Sequence, residues 1–119
     1  MDKGKLEALI SNKMIAFQRE QLGRGAESAK TYILDDMIII RLKGVLTAAE
    51  KQLANKEKGK ALIKEMRYQL EEIIRPELEV MIEDVVGIKV VSLHNDISTK
   101  TGERIDVVVL ENKVFFEEV

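Results

Sequence analysis

Residues 31–54 read TYILDDMIIIRLKGVLTAAEKQLA. β-Branched and aromatic residues flank the polar pair Asp35-Asp36, so 31–34 and 37–43 predict two strands joined by a two-residue turn, although Asp-Asp is a poorer tight-turn pair than Asn-Gly. Ile38, Ile40 and Leu42 fall on one face of the second strand, and Met37, Ile39 and Arg41 on the other. Four consecutive apolar residues, Met37 to Ile40, predict a central strand partly covered on both sides. Gly44 breaks that strand. Thr47 with Glu50 three places on is a capping box, in which each side chain satisfies the other residue's free backbone N–H, and it starts a short helix over 48–55. A hairpin running into a capped helix commits the chain to an α+β fold.

Upstream, Leu6, Leu9, Ile10, Met14 and Phe17 recur at helical spacing among charged and polar residues, an amphipathic helix. Gly23-Arg24-Gly25 stops it, since glycine accepts the left-handed conformation of a helix C-cap. Downstream, Lys56 to Lys60 reads as a charged connector. Leu62, Ile63, Met66, Leu70, Ile73, Ile74, Leu78, Met81, Ile82 and Val85 then stay in phase across Pro76, predicting one long helix bent at the proline. Gly87 ends it. Strands follow over 88–97 and 104–110 around the polar loop 98–103, and 114–119 reads as a short edge strand or frayed tail. The order helix, hairpin, helix, helix, hairpin predicts a four-stranded, mostly antiparallel sheet with helices packed on one face, one domain across 1–119.

Composition sets exclusions. The 119 residues carry 19 lysines and arginines against 21 acids, a net charge of −2, which argues against a surface built wholly for nucleic acid. With no cysteine there is no disulfide framework, thiol nucleophile or cysteine metal site, and one histidine cannot supply a multi-histidine centre. No cofactor or metal is expected. The longest apolar run is four residues and the N-terminus shows no secretory pattern, so no transmembrane segment and a cytoplasmic location are expected.

Strand alternation offers a place for chemistry. Burying Val91, Leu93 and Ile97 together with Ile105, Val107 and Val109 requires an even-sum register in the last hairpin. Ser92, His94, Asp96, Arg104 and Asp106 would then share the outward face beside the hydroxyl-rich loop Ser98-Thr99-Lys100-Thr101. A solvated polar strand face is the plain reading of that cluster; a His–Asp pair for acid–base work has no nucleophile elbow or other catalytic pattern beside it, and a metal site of two carboxylates and a histidine is possible in kind with nothing to fix its geometry. Lys56, Lys58, Lys60 and Lys64 form a basic patch that reads as a solvated connector or as a contact for an anionic lipid surface or RNA. The helix and hairpin order faintly suggests a KH-like nucleic-acid module. Asn55 to Lys60 lacks the Gly-x-x-Gly clamp of that module, and the aromatic residues are scattered.

Three stretches together resemble the MpsC-type family: Leu22-Gly23-Arg24-Gly25, residues 31–54, and residues 93–103 (LHNDISTKTGE). Ala26 and Ala48 depart from it where proline would be expected, both at turn or helix-start positions. The resemblance implies an accessory or regulatory protein linked to a membrane cation- or bicarbonate-transport system, held at the membrane through a partner. It supplies no catalytic residues, and catalysis is not expected. It draws attention to Arg24 and Arg41 in the first matching stretches and to His94, Asp96, Ser98, Thr99, Lys100, Thr101 and Arg104 in the last. The chemistry these offer is anion or partner recognition, with arginine and lysine as charge partners, hydroxyls as donors and His94 as a pH-sensitive contact. A homodimer is expected from the surplus of apolar strand faces. The alternative is a small RNA- or nucleotide-binding module.

Overall fold

Asp35 closes the first hairpin with a left-handed φ of 54°, a conformation that aspartate tolerates better than most residues with a side chain. In the computed structural model, which describes residues 1–116, that turn joins β1 (Ser28–Leu34) to β2 (Met37–Lys43) in antiparallel register. β2 pairs in turn with β4 (Arg104–Leu110), and β4 with β3 (Val90–Ile97), so the sheet order is β1-β2-β4-β3 and every pairing is antiparallel. As expected, β2 is central, with Ile38, Ile40 and Leu42 fully buried.

α1 (Lys3–Leu22) begins at Asp2, whose carboxylate accepts from the Lys5 N–H at 2.8 Å, and ends at Gly23 with φ 79°. Its buried stripe Leu6, Ile10, Met14 and Phe17 packs on the sheet over β1. α2 (Ala48–Leu53) carries the full capping box between Thr47 and Glu50. α3 (Glu57–Val86) starts four residues earlier than the charged-connector reading allows, because Glu57 to Lys60 already form its first turn. Gly59 permits this: a Cβ there would stand 1.8 Å from the Leu53 carbonyl oxygen, so the start of α3 lies against the end of α2. α3 then continues without interruption through Pro76. At 30 residues it spans roughly 45 Å, close to the 50 Å long axis of the molecule.

The core is one hydrophobic cluster between helices and sheet, filled by Ile10, Met14, Ile38, Ile40, Ile63, Leu78, Ile82 and Val108. The apolar positions of α3 divide. Ile63, Ile74, Leu78 and Ile82 are buried, whereas Leu62, Met66 and Ile73 stand in solvent, Ile73 at 74% exposure.

The last hairpin departs from the expected register. Leu93 pairs with Val108, His94 with Val107, Asp96 with Ile105 and Ile97 with Arg104, an odd sum in each case. The inward residues of β4 are therefore Arg104, Asp106, Val108 and Leu110, while Ile105, Val107 and Val109 face outward. Val91 sits at an irregularity between Val90 and Ser92, which puts it in solvent. The expected outward set is thus split: Ser92, His94 and Asp96 stay on the outer face, and Arg104 and Asp106 are core residues at 2% and 0% exposure. The cause is a partner on another element, since Glu71 of α3 meets Arg104 inside the fold. Maximising apolar burial within the hairpin takes no account of that pair. The expected edge strand or tail over 114–119 lies partly outside the described residues, and 114–116 form no strand.

Candidate functional site: a basic cleft beside a buried charge cluster

Two charge arrangements stand out. The first is buried and holds helices to sheet. Arg104 Nη2 donates to Glu71 Oε2 at 2.8 Å and to Asp106 Oδ1 at 2.7 Å, and Arg104 Nη1 also donates to Glu71 Oε1. Nearby, Arg67 donates from Nε to Glu50 Oε2 at 2.8 Å, and from Nη2 to Glu50 Oε1 at 2.6 Å and the Val45 carbonyl at 2.9 Å. Glu50 therefore serves twice, capping α2 through the Thr47 N–H at 2.9 Å and binding α3 through Arg67. Burial opposes its ionisation. The hydrogen bond from Arg67, with help from the Thr47 backbone, outweighs this and holds the Glu50 carboxyl below its ordinary range. Asp106 shows the reverse balance: burial pushes its carboxyl up, Arg104 only partly offsets this, and Glu71 adds to the rise. Asp106 Oδ2 has no hydrogen-bond partner among the described residues. Arg67, Glu71 and Arg104 also line a cavity of about 440 Å³ between α3 and β3, with Lys64, Tyr68 and Asn95 nearer its mouth.

The second arrangement is open. A cleft of about 800 Å³ lies where the end of β2, the start of α3 and the β3–β4 loop meet. Its walls carry five cations, Arg41, Lys43, Lys51, Lys60 and Lys100, against the two acids Glu27 and Glu103. The loop that forms one side is shaped by its own hydroxyls. Ser98 Oγ accepts from the Thr101 N–H at 3.2 Å, Thr101 Oγ1 accepts from the Glu103 N–H at 3.3 Å, and Gly102 turns the chain at φ 72°. The Gly102 carbonyl then accepts from the Val45 N–H at 3.0 Å, tying the loop to the segment before α2. Arg41 donates from Nη2 to Glu103 Oε2 at 3.2 Å, and also from Nε to Glu103 Oε1. That hydrogen bond draws the Glu103 carboxyl below its ordinary value and raises the guanidinium in return.

Of the residues singled out from sequence, the structure brings Arg41, Thr99, Lys100 and Thr101 together in this cleft. Ser98 and Asp96 line an adjoining hollow on the other side of the same loop. Asp96 Oδ1 accepts from its neighbour's Ile97 N–H at 2.9 Å and lies 3.3 Å from Lys64 Nζ. Arg24 stands just behind the cleft, donating to the Gly44 carbonyl at 3.2 Å and to Glu27 at 3.4 Å. His94 is apart from it, exposed on the outer sheet face at 3.1 Å from Ser92 Oγ. Arg104 is inside. Lys43, Lys51 and Lys60 converge only in three dimensions. Of these, Lys60 alone carried a signal in the sequence, as part of the basic run after α2. No group of three or more histidines, cysteines and acids suited to a metal occurs among the described residues. Nor is any helix among them long and apolar enough to cross a membrane.

The family described as "Na+-translocating membrane potential-generating system (MpsC)" matches residues 2–112. The uncharacterized protein YbcI of Bacillus subtilis (strain 168) is 43% identical over 110 residues, covering 92% of this chain and 89% of that protein. The uncharacterized protein YrhF of the same organism is 26% identical over 98 residues, covering 82% and 80%. No solved structure shows significant similarity.

Proposed function

The chain belongs to the MpsC family, and from that premise we propose that it is an accessory interaction domain of a sodium-translocating, membrane-potential-generating system. It works as a homodimer on the cytoplasmic side, is held at the membrane by a partner and performs no catalysis of its own. The basic cleft carries this reading. Five cations against two acids, in a hollow of about 800 Å³ with hydroxyl donors on one wall, fit an acidic segment of a protein partner. The family description supplies the kind of partner, a membrane transport complex.

The test is affinity capture from detergent-solubilised native membranes, with the wild type beside a Lys43→Glu/Lys51→Glu/Lys100→Glu variant. Membrane-spanning transport subunits should accompany the wild type and be lost with the variant. Equal recovery with both, or no such subunit with either, overturns the proposal. The same cations also favour a second reading, binding of RNA or a nucleotide. Ribosomal proteins and RNA in the capture, with affinity falling steeply as salt rises, would select it.

A further inference from the structure

We propose that the outer face of the sheet is the contact between two copies of this chain, packed face to face about a two-fold axis running along the strands. This rests on the homodimer reading and specifies its surface and register.

The outer face carries an apolar patch where solvent would normally be met by polar side chains, with Lys30, Arg41, His94 and Asp96 around it. Tyr32, Leu34 and Ile105 are exposed, and Met37, Ile39, Val107 and Val109 half-buried, with no helix over them. The sheet edges are less available for pairing. Glu7 of α1 takes the Ile33 N–H of β1 at 2.9 Å. Along β3, Glu83 takes the Val90 N–H at 2.8 Å, and Arg75 donates to the Leu93 carbonyl at 3.2 Å. Side chains from both long helices thus occupy backbone groups that a neighbouring strand would need, which leaves the face rather than the edge.

Charge placement selects the second copy and its orientation. The register lays Lys30, Arg41, Ile105 and Asp96 in one row across the four strands, from a positive end on β1 to a carboxylate on β3 that already meets Lys64 of its own α3 through Oδ1 yet stays largely exposed. A two-fold axis parallel to the strands, between β2 and β4, sets β1 of each copy over β3 of the other. Lys30 then meets Asp96 of the second copy, twice over, and Ile39 meets Val107 at the centre. An axis across the strands would instead set Lys30 on Leu34. The two diagonal axes of orthogonal packing would set Lys30 on Lys30 or Asp96 on Asp96. One orientation in four pairs opposite charges, and it also brings apolar centres together.

The other exposed apolar surface fits a second copy poorly. Leu62, Met66, Ile73 and Val80 form a stripe on α3, but Glu65, Glu72 and Glu79 line one margin and Glu77 the other. Two such stripes set carboxylate against carboxylate whether parallel or antiparallel.

The test uses the absence of cysteine from the chain. Facing sheets stand about 10 Å apart, too far for direct disulfides, so a short bismaleimide crosslinker is the probe. Lys30→Cys mixed with Asp96→Cys should crosslink into a dimer, while either variant alone should give little. Sedimentation across a concentration series should show the wild type dimerising, Ile39→Asp remaining monomeric and Ile73→Glu behaving as wild type. A dimer that survives Ile39→Asp, dissociates with Ile73→Glu or crosslinks equally well through one variant alone overturns the surface or register while leaving the dimer reading intact. A wild type that is monomeric throughout overturns both. Circular dichroism checks that Ile39→Asp is folded; if it is not, the crosslinking result decides.

Discussion

The two faces of β4 depart from the usual arrangement. The inner face of β4 presents Arg104 and Asp106 to the core, and the outer face presents Ile105, Val107 and Val109 away from the helices. A buried ion is costly unless paired, and pairing does not make it a strong source of net stability. The inner cluster instead imposes geometry. Glu71 and Arg67 can reach Arg104 and Glu50 only when α3 sits at one height and rotation against the sheet and α2. The outer face has no such constraint, and its exposed apolar side chains are the area that the proposed contact between copies would cover. Charge therefore positions the elements inside, and hydrophobic area is left available outside.

The largest expected effect breaks the inner half of that contrast. Arg104→Ala leaves Glu71 and Asp106 together in the core without a counter-charge and should cost about 3–5 kcal/mol, as breaking a buried pair does. Replacing Arg104, Glu71 and Asp106 together by apolar residues of similar volume should recover most of that loss. Chemical denaturation of both variants checks the pair of outcomes. A mild effect of Arg104→Ala would mean that the cluster does not restrain packing.

Next in size is a pair of opposite pH responses from the same buried layer. Glu50 has a depressed carboxyl, so its stabilising contribution is present above the ordinary carboxylate value of about 4.3 and is lost as pH falls through its lower folded value. Asp106 has a raised carboxyl, so its contribution is present below the ordinary aspartate value of about 3.9 and is lost as pH rises through its higher folded value. Melting-temperature differences against pH should therefore diverge. Asp106→Asn should gain on the wild type as pH rises, and Glu50→Gln should lose. Curves of the same sign would contradict the cluster's assigned balance.

Why the inner layer escaped the sequence is physical rather than accidental. The stretch 31–54 carries its own evidence, because period-two alternation, the aspartate turn and the capping box are all local, and each appears where its residues lie. The register of the last hairpin is not local. Within 88–110 the even-sum pairing buries more apolar area, whereas the odd-sum pairing depends on contacts from outside the hairpin: Glu71 on α3, 33 residues before Arg104, and the pairing of β4 with β2. The same limit applies to α3, whose apolar residues occupy two stripes that a single-period count merges. The cleft was half legible: the loop 98–101 and Arg41 drew attention, but Lys43 and Lys51 join them only through the packing of the β3–β4 loop, β2 and α2.

A smaller effect sharpens the outer half. Val107→Thr keeps the shape of a half-buried side chain and places a hydroxyl at the centre of the outer face. The folded monomer should lose no more than about 1 kcal/mol, typical of a surface substitution. Association should weaken much more. The wild-type melting temperature should rise with protein concentration, as it does when folding is coupled to dimerisation, and the dependence should flatten in the variant. Scanning calorimetry over a dilution series reads both. An unchanged concentration dependence would mean that the centre of the face is not in the contact.

The smallest expected effect lies at the margin between outer face and cleft. Arg41 is in the outward row of β2, yet its guanidinium turns to Glu103, and both groups remain in contact with water. Solvent screening leaves such a pair little influence on folding, so Arg41→Gln should leave the melting temperature nearly unchanged. It should still be visible locally. Without the hydrogen bond from Arg41, the Glu103 carboxyl should titrate at an ordinary glutamate value instead of below it, a change that carboxyl NMR can follow residue by residue. Loss of a cleft cation should also weaken capture of an acidic partner while dimerisation stays intact. If Arg41→Gln instead dissolves the dimer and leaves capture unaltered, this residue belongs to the outer face rather than to the cleft, and the boundary between the two surfaces moves by one strand position.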